Sequence, residues 1–70
     1  MPTICVRLLD KSPTAWRPVQ AEQIGEGVYR IVEPLPPGEH WEFFPGETVR
    51  CRRGRIMADA EAMVAYERVL

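Results

Sequence analysis

Apolar and polar residues alternate along most of this chain, and a period of two is the pattern of strands with one buried face. In residues 3–10, TICVRLLD, Ile4, Val6 and Leu8 share one face, and Cys5, Arg7 and Leu9 the other. A strand with the first set inward is expected there. KSPTAWRP follows with turn chemistry at Ser12-Pro13. Pro18, which has no N–H for a ladder, belongs at a strand start or edge. A second strand should therefore begin near Trp16 or Arg17. In RPVQAEQIGEGVYRIVE two alternating runs flank Gly25-Glu26-Gly27. Glycine accepts the positive φ that a tight hairpin or its bulge requires. Strands over about 17–24 and 27–33 should pair antiparallel, with Val19, Ala21, Tyr29 and Ile31 facing inward.

The second half is less regular. PLPPGEH holds three prolines and a glycine within five positions, which excludes helix and central strand and predicts a stiff extended loop. WEFF is a short strand-like piece with Trp41 and Phe43 on one face, and Pro45-Gly46 is a turn dipeptide. In ETVRCRRGRIM, Val49 and Cys51 alternate with Arg50 and Arg52, so the first pair should point in and the second out, with Arg53 and Arg55 around a turn at Gly54. Two patterns compete in MADAEAMVAYERVL. Its alanines and glutamates favour helix, while MVAYERV alternates and a sheet begun upstream needs closing. We place a strand at roughly 62–69, after a short helical turn near 57–61. The expected fold is one mainly β domain over residues 1–70, a small five-stranded barrel.

A chain of 70 residues buries only about 60% of the surface it exposes when unfolded, so its stability is marginal and a partner or second copy can matter. Charge is uneven. The formal net charge is −1, yet residues 50–55 carry four of the nine basic residues and the flanking segments are acidic. Nucleic-acid partners usually select a basic chain, because affinity comes from counterion release at many phosphates. The bulk charge argues against that partner, and the local cluster argues for it. No apolar run approaches the roughly 20 residues of a membrane helix, and MPTICVRLLDKSP lacks a basic region followed by an apolar stretch of signal-peptide length. The cytoplasm is the expected compartment, with no membrane partner. Cys5 and Cys51 form no metal spacing, and in a reducing compartment a disulfide between them is not expected.

Taken in order, VRLLD at 6–10, WRPV at 16–19, GxGVYRI at 25–31, WEF at 41–43 and PGETVRC at 45–51 resemble a group of short, poorly characterised bacterial proteins. The similarity covers most of residues 4–52 and implies a small five-stranded barrel of the SH3-like type. It implies no activity and no catalytic residues. The tail after Arg53 departs from the short final strand of that pattern.

Catalysis has little to work with. A nucleophile needs a neighbouring base, and the only histidine is His40, in the proline-rich loop. Cys51 reads as a small buried hydrophobe, and Glu39 and Glu42 as solvated loop carboxylates. No enzyme, cofactor or metal site is expected. Three aromatics, Tyr29, Trp41 and Phe43, fit inward positions, whereas Trp16 and Phe44 are out of phase with their inward neighbours. Those two either cap the barrel or anchor a partner, since Trp and Arg dominate interface hot spots. The expected function is a non-enzymatic module that binds a protein or peptide partner, or its own copy, through Trp16, Arg17, Phe44, Arg50, Arg52 and Arg53. The alternative is a single-stranded nucleic-acid-binding accessory protein using Arg50, Arg52, Arg53 and Arg55. Against both stands a charged strand end that blocks edge pairing and is neutralised by Glu42, Glu47 or Glu67. An immunity- or antitoxin-like inhibitor is a third, weaker alternative.

Overall fold

Each strand in this chain hydrogen-bonds to the strand that follows it in sequence, and the last returns to the first. The structure, a computed structural model, describes residues 1–11 and 13–70. Ser12, part of the predicted turn, lies outside the described residues. The strands are β1 (Thr3–Leu8), β2 (Ala15–Gly25), β3 (Val28–Ile31), β4 (Thr48–Met57) and β5 (Ala60–Arg68). The four consecutive pairs are antiparallel, and the sheet closes where Cys5 of β1 meets Val64 of β5 in parallel. The parallel seam follows from counting: a chain that reverses at every connection sends its first and fifth strands the same way. No described residue is helical.

Alternation fills the ring as the sequence predicts. Ile4, Val6, Val19, Ala21, Ile31, Val49 and Cys51 are all buried, and Leu8 and Tyr29 pack against them half-exposed. Gly27 sits at φ +71° in the β2–β3 turn, where an L side chain would be strained. Cys5, assigned by its phase to the other face, is nevertheless buried between Pro18 and Val64 in register.

The long connection from β3 to β4 completes the core. Residues 40–42 run beside β1: Leu9 N–H donates to His40 O (2.7 Å), and Glu42 N–H donates to Arg7 O (2.9 Å). Trp41 makes only an isolated bridge to Leu8, so the predicted WEFF strand does not form. Its face is nonetheless right, because Trp41 and Phe43 are both buried. The seam with β5 is at Cys5, in the middle of β1, and Trp41 bridges Leu8 at the end of that strand.

Two expectations for the C-terminal half are overturned. Residues 57–61 are not a helical turn: Ala58-Asp59 is a two-residue hairpin connection between Met57 and Ala60. The helix preference of alanine and glutamate is a fraction of a kcal/mol per residue, about 0.7 at most, and a ladder of eight residue pairs with β4 overrides it. Gly54 is not a turn either. It lies inside β4, which runs on to Met57.

Candidate functional site

The Phe44 turn is built from local chemistry. Proline pre-sets φ for the second position of a type II turn and glycine supplies the positive φ of the third. Phe44-Pro45-Gly46-Glu47 meets both conditions, with Gly46 at φ +89° and Glu47 N–H donating to Phe44 O (3.1 Å). Glu47 then ties the turn down. Its Oε2 accepts Phe44 N–H (2.7 Å), and its Oε1 accepts Arg68 Nε–H at 2.6 Å. Arg68 also lies over the Phe43 ring, 5.2 Å from its centroid. The Arg68 hydrogen bond, and the Phe44 amide after it, hold the Glu47 carboxyl below the usual carboxylate range, against an opposing contribution from burial. Backbone bonds from Gly46 N–H to Ile31 O (2.8 Å) and from Ile31 N–H to Glu47 O (3.0 Å) fix the turn against the end of β3. Phe44 itself remains 47% exposed.

Trp16 and Arg17 sit elsewhere, on the part of β2 that pairs with β1, opposite Arg7 and Val6. Both are half-buried. Arg17 Nε lies 3.6 Å from Glu39 Oε1, too far for a hydrogen bond, and that nitrogen is buried without a partner. The same Glu39 oxygen accepts Trp41 Nε1–H at 2.8 Å. Glu39 is therefore not simply solvated, because it satisfies the one polar group of the largest buried side chain. Glu42 contributes through its backbone, as a hydrogen-bond donor to β1.

Arg50 and Arg52 point outward and are exposed, as their phase predicts. Arg50 pairs with Glu67 across the hairpin (Nε–Oε1 2.9 Å), and Arg52 lies over the Tyr66 ring, 4.5 Å from its centroid. Arg53 approaches Glu61 at 3.6 Å, and Arg55 has no ion-pair partner among the described residues. Arg53 and Arg55 do not flank a turn; they follow Cys51 in phase, on a stretch of β4 that has outrun the core.

The six residues singled out from sequence thus fall in three places: Trp16 and Arg17 on β2, Phe44 on its turn, and Arg50, Arg52 and Arg53 along β4. At about 3.3 Å per residue, Arg53 lies roughly 20 Å along the strand from Glu47. Sequence reasoning missed Arg68, Glu39 and Tyr66. Glu39 had a local signal, a carboxylate two residues before a tryptophan. The partners of Arg68 and Tyr66 depend on strand register, which has a bulge between Arg50 and Cys51.

Both thiols are free and buried. Burial raises the Cys5 pKa, and burial followed by the nearby Cys5 charge pushes Cys51 up to about 11. A thiol held protonated is a poor nucleophile and a poor metal ligand. Comparison of the chain with protein-family models, with curated proteins and with solved structures finds no match.

Proposed function

We propose that this chain is a non-enzymatic interaction module of the cytoplasm, an SH3-like barrel of the short bacterial group its motifs resemble. It takes a protein or peptide partner, or a second copy of itself, through Trp16, Arg17, Phe44 and the arginines of β4. Phe44 carries this reading. A large aromatic stands 47% exposed on a turn whose backbone is fixed by Glu47, Arg68 and β3. Binding orders little that is not already ordered, so the apolar gain is not spent on loop entropy. The five-strand meander, closed through its first and last strands, supports the SH3-like part. The protonated thiols support the non-enzymatic part.

Replacing Trp16 and Phe44 together with alanine should leave the β-type circular dichroism intact and abolish co-purification of the partner from the native cell. If the double variant unfolds, the two residues are core and the site is wrong. The Arg52–Tyr66 stack favours a second reading, single-stranded nucleic acid held by Arg50, Arg52, Arg53 and Arg55. A steep loss of binding with salt would mark it, because counterion release gives that slope and an apolar anchor does not.

A further inference from the structure

Past Cys51, β4 has a neighbour on one side only. Its ladder with β3 covers Thr48, Val49 and Arg50 and ends with Cys51 N–H donating to Gly27 O (2.8 Å). Backbone N–H and C=O groups of alternate residues leave a strand on the same side. Arg53 and Arg55 therefore aim theirs where Cys51 does, away from β5, and among the described residues no backbone hydrogen bond from that side reaches them. The stretch Arg52–Arg55 is an open, regular edge of about 13 Å that ends at a bulge between Arg55 and Met57.

The other long strand with a free flank is differently made. On the β3 side of β2, Gln20 O accepts Val32 N–H and Glu33 N–H (3.1 and 3.3 Å), while residues 15–19 have no strand beside them. The same alternation puts Pro18 on that side, where it has no N–H to offer. That edge is blunted. The far side of β5 meets β1 at Val64, and of the flanks left open the β4 one is lined by arginines.

We infer that Arg52–Arg55 accepts an extended acidic segment of a partner protein as an added strand. This rests on the interaction-module reading and supplies its main-chain contact. Charge selects the occupant. Arg52, Arg53 and Arg55 are all exposed, Arg55 is unpaired among the described residues, and the Arg53–Glu61 contact at 3.6 Å joins side chains 68% and 54% exposed, which a partner's carboxylate displaces at little cost. A second copy pairing through the same edge would set arginine against arginine, which is disfavoured across a sheet. Carboxylates at alternate positions would instead meet guanidinium groups, while main-chain bonds supply the ladder.

The probe is a fluorescein-tagged seven-residue peptide alternating glutamate with valine. The expected result is binding that protects the Arg53 and Arg55 amides from hydrogen exchange in the unaltered protein, a readout that needs no variant to fold. Arg53→Pro removes a donor facing the open side and no bond to β5, so it should weaken binding on the order of tenfold or more, through the lost bond and the blocked edge. Arg53→Gln keeps the donor and should weaken it about threefold. Equal losses in the two variants would overturn strand addition in favour of charge alone. Protection at Phe44 and Trp16 instead, or no binding of this peptide while Trp16 and Phe44 still capture a partner, would overturn the edge and leave the module standing. Tighter protection of the β4 amides by oligothymidylate than by the peptide would overturn both.

Discussion

The strands β4 and β5 serve two regions of this molecule, and the regions differ in what they bury. At the sealed end, Val49, Cys51 and Ala65 are buried in one core with Trp41 and Phe43 of the connecting loop, and Arg68 clasps Glu47. In the arm beyond Cys51 no residue from Arg52 to Met57 is buried, and Met57 at the tip is 63% exposed. The backbone ladder runs through both, with a bulge in each, between Arg50 and Cys51 and between Arg55 and Met57. Hydrogen bonding to a neighbour therefore does not separate them, and apolar burial does, since a ladder bond nets only about 1 kcal/mol while a buried large side chain brings about 1.5–3. The sealed end holds the stability, and the arm is free to hold a charged, half-paired surface.

Trp41→Ala tests the difference hardest. Removing a fully buried tryptophan should cost about 3–5 kcal/mol. A domain this small has about 5 kcal/mol or slightly more in total. The cooperative thermal transition seen by circular dichroism should disappear near room temperature, and an unchanged transition would mean the loop is not the seal. Gly54→Val probes the arm. A Cβ there would stand 2.8 Å from Val64 Cγ2, and Val64 is part of the seam with β1, so overpacking of about 1–3 kcal/mol is expected in urea unfolding. A smaller loss would show the arm yielding independently of the ring.

The smallest effect is a pH dependence at the Arg68 clasp. Glu47 has its pKa lowered in the folded state, so its stabilisation is present above the ordinary carboxylate value of 4.5 and is lost as the pH falls through the lower folded value. The stability gap between the native protein and Glu47→Gln should be constant above pH 4.5 and close in acid. A gap that persists at low pH would assign the effect to packing instead.

Local rules account for much of the fold. The inward residues of β1, β2 and β3 and of the first half of β4 follow from alternation alone, and Gly27 and Gly46 carry the positive φ that their turns require. Rules of this kind failed where one segment depends on another. Cys5 is buried against its phase because β2 and β5 flank it. Ala60 and Ala62 are strand rather than helix because β4 offers them a ladder. Of the candidate site, the outward Arg50 and Arg52 and the exposed Phe44 were legible, each being a matter of phase. The clasp by Arg68 and the stacking of Tyr66 were not, since a bulge shifts the pairing that brings them to Glu47 and Arg52.

The sequence by itself determined that this is a chain of short strands with one apolar face, a proline on β2 and a run of arginines late in β4, because side-chain period and backbone chemistry are properties of neighbours along the chain. Which strand edges stay open was decided by the tertiary structure. β3 is four residues long and β4 is ten, so the arginine run outreaches its partner, and that mismatch appears only once the strands are set side by side.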